Sequence, residues 1–195
     1  MNHWFGKAAV LVHLLAYVFI RWPHGNRSGK VRVIENRRGG KETFLLVVAM
    51  FTTTLLPVLW LTTSFLAFAD YPLHPIPYWI GVAIMAAGLW LFYRSHADLG
   101  INWSITLQVR ENHKLVTSGV YARIRHPMYT AMFLGAVCQI LILPNWIAGP
   151  AYLVGFGLLY VLRVAAEERM MLERFGAEYE AYMRRSGRLI PSASR

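Results

Sequence analysis

Phe44-LLVVAMFTTTLLPVLWLTTSFLAF-Ala69 runs for 26 residues without a charged side chain. About 20 residues at 1.5 Å each cross a hydrocarbon core of about 30 Å, so this run is long enough to span a bilayer. Four further apolar stretches flank it: Ala8 to Ile20, roughly Ile76 to Tyr93, Tyr129 to Leu143, and Trp146 to Leu162. The first, fourth and fifth are short and need flanking residues to complete a crossing, and Trp4 and Trp22 bracket the first at interfacial positions. Arg21-Trp22-Pro23 stands where a small-residue cleavage site would follow a signal peptide, so an uncleaved first span is expected.

Composition agrees. Of 195 residues, 56% are hydrophobic and 15% charged, which excludes both an ordinary soluble domain and a disordered chain. The single cysteine, Cys138, leaves no intrachain disulfide and no cysteine-built zinc site. The net charge of +10 raises nucleic acid as a partner, and the placement of the charges argues against it. Every Lys and Arg except Lys7 falls between spans one and two, between spans three and four, or after span five. The loops at Asp70 to Pro75 and Pro144-Asn145 carry none. The positive-inside rule then gives an all-α integral membrane protein of about five transmembrane helices, N-terminus outside and C-terminus cytoplasmic. Basicity becomes topology plus attraction to anionic lipid, with the bilayer as partner and no nucleic acid.

Within this frame the chain reads as a single domain, 1–195. Pro57 is expected to kink span two. Gly135 and Ala136 in span four, with Gly149, Gly155 and Gly157 in span five, are expected to bring those two helices close. The segment from Arg21 to Glu42 reads as a mobile basic connector without a catalytic signature. After span five, Met171, Phe175, Tyr179 and Tyr182 form a stripe of helical spacing, as in a helix lying on the membrane surface. His13 lies within the first span and reads as a packing residue rather than a relay.

No dinucleotide fingerprint, Walker loop, His-Glu-x-x-His or Gly-x-Ser-x-Gly occurs. His3, His13, His24, His74, His96, His113 and His126 contain no close pair at metal-ligand spacing, and no metal is expected. Two features remain. One is His113-Lys-Leu-Val-Thr-Ser-Gly-Val-Tyr121 leading into Arg125-His-Pro-Met-Tyr129, where Pro127 suits the first turn of span four. The other is Arg163 and Glu167, with Glu168 beside it; their i, i+4 spacing puts Arg163 and Glu167 on one helical face. Taken alone, these features fit a structured turn and a surface ion pair.

Together they resemble a known family. Asn102-Trp-Ser104, His113-Lys-Leu-Val116, Gly119, Tyr121, Arg125-His-Pro-Met-Tyr129, Arg163-Val-Ala-Ala-Glu-Glu168, Phe175-Gly-Ala-Glu-Tyr179, Tyr182 and Gly187-Arg-Leu-Ile-Pro191 look like the isoprenylcysteine carboxyl methyltransferases, particularly the short prokaryotic members. The resemblance is specific from about Asp98 onward, so 98–195 is the expected cofactor-binding and catalytic half and 1–97 carries spans one to three. It implies S-adenosylmethionine as methyl donor, in a cytoplasmic pocket built from the loop before span four and the helix after span five. By motif, His113, Leu115 and Val116 would line the adenosine side with main chain from Lys114, and Gln108 matches a cofactor-contacting glutamine. Tyr121, His126, Pro127, Met128 and Tyr129 would continue the pocket, and Glu167 would complete it. Arg163 matches the arginine that faces the substrate. The implied acceptor is the carboxylate of a prenyl-like substrate; the small residues of span five suggest that its tail enters between helices near Gly155. Rival readings are methylation of a phospholipid amine or small thiol, a membrane sterol reductase, and a non-catalytic scaffold or transporter. A cell membrane, with the site toward the cytoplasm, is the implied location.

Overall fold

The computed structural model describes residues 1–28, 32–36, 39–100, 108–110 and 114–192. Helix α1 (His3–Ser28) outruns the first apolar stretch at both ends. Helices α2 (Gly40–Met50) and α3 (Leu56–Thr62) form one span, interrupted by a π-turn at Phe51–Leu55. Helices α4 (Pro75–Leu99), α5 (Pro127–Ile142), α6 (Ala148–Phe175) and α7 (Ala177–Arg185) follow. Among the described residues, His3–Arg27, Gly40–Thr62, Pro75–Leu99 and Ala148–Phe175 are long and apolar enough to cross a membrane. Helix α5 is apolar but has 16 residues. At 1.5 Å per residue it covers only about 24 Å, so the following Leu143-Pro144-Asn145 turn completes its length.

Large apolar side chains point outward, as in a protein solvated by lipid: Trp4, Phe19, Phe68, Ile76, Trp146 and Val154 each expose about 70% or more of their surface. One core cluster joins α1, α3, α4 and α5 through Val10, Trp60, Tyr78, Cys138 and Ile142. A second joins α2, α5 and α6 through Leu45, Ala136, Tyr152, Phe156 and Leu159. The α5–α6 turn is tight because Asn145, fully buried, satisfies four groups. Its amide donates to Leu66 O and Asp70 Oδ1, both at 2.7 Å, and its Oδ1 accepts the Ile147 and Ala148 N–H groups that open α6.

The π-turn explains how span two accommodates Pro57. A proline removes the donor to the carbonyl four residues earlier and its ring would strike it, and the widened turn at Phe51–Leu55 contains that carbonyl, Thr53. In the same turn Thr52 Oγ1 donates back to Val48 O at 3.0 Å. Thr52 fills the face of Gly155, where an added Cβ would lie 2.1 Å from Thr52 Oγ1. At Gly155 itself, the face expected to admit a prenyl tail is thus occupied by Thr52 of the π-turn. Gly155→Ala is expected to destabilise the protein by about 1–3 kcal/mol through overpacking. Most of that loss should return in the Gly155→Ala/Thr52→Ala double variant, as read by denaturant unfolding in mixed micelles.

Gly135 faces Tyr152 on α6, as expected, and also Tyr17 and His13 on α1, whereas Gly157 faces open space. His13 is buried, yet neither ring nitrogen has a hydrogen-bond partner among the described residues. The segment expected to be a mobile connector contributes a strand: β1 (Val33–Asn36) pairs antiparallel with β2 (Gln108–Arg110), with a register shift between Val33 and Glu35. This ribbon is the one departure from helix among the described elements, and it ties the segment before span two to the loop before span four.

Candidate active site

The loop entering α5 is pinned from below by α4. Gly119 has φ +59°, and a Cβ there would lie 2.1 Å from Asp98 Oδ2, so only glycine fits. Asp98 accepts Val120 N–H at 2.9 Å and pairs with Arg94 at 2.9 Å. Tyr121 is buried, its hydroxyl donating to Ser95 O at 3.3 Å. Tyr182 Oη donates to Tyr121 O at 2.6 Å, and burial pushes this phenol up to about 12, so it stays a neutral donor. The stripe of Tyr179 and Tyr182 thus packs against protein, not against lipid as expected, after the chain turns at Gly176 between α6 and α7.

The C-terminal segment straps the same loop. Arg125 N donates to Gly187 O at 2.8 Å, His126 N to Arg188 O at 3.1 Å, and Thr130 Oγ1 to Leu189 O at 2.6 Å. Under this strap lies Glu168, 5% exposed. It takes Arg125 Nε at 3.2 Å, His126 Nε2 at 3.3 Å and Arg188 Nε at 3.1 Å, with a second, short bond from the Arg188 fork. The pairing with Glu168 pushes the Arg188 guanidinium up. Arg125 also donates to Met183 O at 3.1 Å and, by a short bond, to Ser186 O. One carboxylate therefore fixes the start of α5, the end of α6 and the tail after α7.

Beside this anchor sits the second constellation. Tyr129 Oη donates to Glu167 Oε2 at 2.5 Å, and the Tyr129 ring stacks on His126 with centroids 5.3 Å apart. His126 Nδ1 lies 3.9 Å from Glu167 Oε1. Arg163 is 8% exposed and lies between two carboxylates, with Nη1 3.6 Å from Glu42 and Nε 3.8 Å from Glu167. Its Nε makes no hydrogen bond among the described residues. Tyr160 stands edge-on to Tyr129 at 5.4 Å, and Phe156 at 5.8 Å, giving the group an aromatic wall.

Of the residues singled out in the sequence, His126, Tyr129, Arg163 and Glu167 converge. Pro127 opens α5 and is buried, and Met128 packs toward Leu91, Phe92 and Ala131. Leu115 and Val116 are half-buried, and Lys114 is exposed. Tyr121 belongs to the support under the loop. Gln108 is described as backbone in β2, and His113 and Asn102-Trp-Ser104 lie outside the described residues. Glu42 was not anticipated. Its signal was its position, the last charge before the apolar run of span two, yet it is buried against Arg163.

The arrangement suits a cationic ligand. Arg163, Glu42 and Glu167 together carry one excess negative charge when ionised, and Glu167 is half-buried with one oxygen engaged by Tyr129. S-adenosylmethionine carries an ammonium and a sulfonium, so acceptor carboxylate and tyrosine faces fit it. Arg163 Nε is a spare buried donor for an anionic group.

Comparison with known proteins bears on this site. The sequence model of the isoprenylcysteine carboxyl methyltransferase (ICMT) family matches residues 79–173, which include the start of α5, Arg163 and Glu167. A protein-S-isoprenylcysteine O-methyltransferase of Tribolium castaneum is 33% identical over 57% of this chain and 41% of its own. A probable protein-S-isoprenylcysteine O-methyltransferase of Oryza sativa subsp. indica is 25% identical over 91% of this chain and 89% of its own. The solved eukaryotic intramembrane Ras methyltransferase is similar at TM-score 0.54 and 27% identity, over 82% of this chain and 55% of that one. This chain thus spans about half the length of that structure and less than half of the Tribolium relative. Apolar helices and a membrane-embedded relative make it a multi-pass membrane protein. The motifs around Pro127 and Arg163, the helical fold and the matched relatives agree, and over residues 79–173 the chain is similar to the isoprenylcysteine carboxyl methyltransferase family.

Proposed function

We propose that the chain transfers a methyl group from S-adenosylmethionine to the carboxylate of an isoprenylcysteine-like lipophilic acceptor, at a site facing the cytoplasm of a cell membrane. The observation that carries this reading is Arg163: a buried guanidinium with an unused Nε donor, one helical turn from a carboxylate that Tyr129 holds in place. The cofactor supplies an electrophilic methyl carbon on a sulfonium, which leaves as the neutral thioether of S-adenosylhomocysteine.

Glu167 is assigned to the cofactor, because its carboxylate is the group that balances an ammonium, with His126 and Tyr129 setting its orientation. Leu115, Val116 and the backbone of Lys114 are assigned to the adenosine side, with His113 and Gln108 as further cofactor residues. Pro127 and Met128 shape the floor, and Tyr121 supports it. Arg163 is assigned to the acceptor carboxylate, held in place by Glu42 on its other side. A carboxylic acid is ionised at neutral pH, so the acceptor oxygen attacks without a general base. The work of the chain would be placement: Arg163 would hold the acceptor carboxylate beside the cofactor held by Glu167, in a site walled by Tyr129, Phe156 and Tyr160.

Methylation assays on detergent-purified protein test this directly. Radiolabelled methyl should appear on a farnesylated N-acetylcysteine as a base-labile ester. Transfer to phosphatidylethanolamine or a small thiol instead, with no ester formed, would replace the acceptor while keeping the cofactor half.

A further inference from the structure

Lys7 is the one Lys or Arg outside the three basic segments of the sequence, and it lines a cavity of about 260 Å³ together with Trp60, Thr62, Thr63, Ser64 and Asp70. The cavity sits between the first turns of α1 and the end of α3, at the opposite end of the bundle from Arg163. It is small beside the ~300–1,000 Å³ of sites for drug-sized ligands and is scaled to a headgroup. Trp4, Phe65 and Phe68 are strongly exposed around it, as in an aromatic belt at a membrane interface.

Its two charges do not pair with each other. The Lys7 ammonium stands 5.5 Å from the Trp4 ring centroid and 5.8 Å from that of Trp60, and its hydrogen bond is a long one, 3.4 Å to Leu61 O. Asp70 uses Oδ1 for Trp60 Nε1 at 2.8 Å and Asn145 Nδ2 at 2.7 Å, which leaves Oδ2 without a hydrogen bond among the described residues. Thr62 and Thr63 donate their hydroxyl protons back to Val58 O and Leu59 O, each at 2.8 Å. Their oxygens are thereby turned into acceptors. The cavity thus offers a cation at one wall and a carboxylate with hydroxyl acceptors at another.

We propose that this cavity binds the headgroup of a zwitterionic phospholipid bearing a primary ammonium, its phosphate on Lys7 and its ammonium on Asp70 and the threonine oxygens. A quaternary ammonium offers no N–H to these acceptors, and an anionic lipid without an amine leaves Asp70 unanswered. The site is separate from the methyl-acceptor site and does not depend on that reading.

Native mass spectrometry of the full chain, released from detergent with equal amounts of phosphatidylethanolamine, phosphatidylcholine and phosphatidylglycerol, provides the test. One phosphatidylethanolamine should be retained about tenfold more tightly than either competitor, a difference expected from one charge-assisted hydrogen bond. Lys7→Met should weaken retention of phosphatidylethanolamine and phosphatidylcholine alike, and Asp70→Asn, checked for an unchanged melting temperature, should reduce phosphatidylethanolamine to the phosphatidylcholine level. Equal retention of all three lipids, or retention unchanged in Lys7→Met, overturns the proposal. Preference for phosphatidylglycerol lost in Lys7→Met also overturns it, in favour of simple phosphate recognition. Soluble phosphoethanolamine binding as tightly as the lipid would overturn the membrane as its source.

Discussion

Replacing Glu168 with alanine is expected to lower the unfolding free energy by about 3–5 kcal/mol, the usual cost of leaving a buried ionic partner without its counter-charge. Arg125 is the partner that suffers, because its side chain is only 10% exposed and its remaining bonds, to Met183 O and Ser186 O, supply no counter-charge. His126 and the strap after α7 lose a bond in the same change. Arg188→Ala gives the contrast. That side chain is 46% exposed, and its removal is expected to cost about 1 kcal/mol or less. Denaturant unfolding in mixed micelles reads both variants. Similar losses for the two would mean that the cluster acts as a surface ion pair rather than a buried anchor.

Arg163→Ala is expected to reduce kcat/KM for the prenylated acceptor by roughly 100- to 1,000-fold, the loss typical of removing one preorganised donor from a reacting oxygen, about 2.7–4 kcal/mol. Binding of S-adenosylhomocysteine should change far less, because Glu167 keeps its bond from Tyr129. Arg163→Lys keeps the charge and loses the planar fork, so it should recover only part of the activity. A variant that loses cofactor binding and keeps acceptor affinity would exchange the two assignments. Glu42 complicates the stability of Arg163→Ala, since the change removes its guanidinium at 3.6 Å. The Arg163→Ala/Glu42→Gln double variant separates that effect: it should restore stability and leave activity low.

The membrane spans were legible because hydropathy acts over a whole segment, and an apolar run as long as Phe44 to Ala69 has few other uses. Pro127 at the start of α5 and the i, i+4 pair of Arg163 and Glu167 were legible for a local reason, since helix geometry alone sets them. Contacts between distant segments were not. The β1–β2 pairing joins short polar stretches with no period to mark them, and the strap is held by backbone groups that every sequence carries. Glu168 gathers partners 42 and 43 residues upstream and 20 downstream, so its role could not be told from that of any acidic residue beside Glu167. Gly155 illustrates the opposite error. Small residues signal close approach, and here the approaching group is Thr52 of the π-turn rather than a substrate.

Calorimetric titration of S-adenosylhomocysteine into the purified protein, with Glu167→Gln alongside, tests the central claim most directly. The account predicts saturable one-site binding that weakens roughly 10- to 150-fold in the variant, as for loss of a charged hydrogen-bond partner. No binding to folded wild-type protein in either detergent or lipid, or binding unaffected by Glu167→Gln, would contradict it.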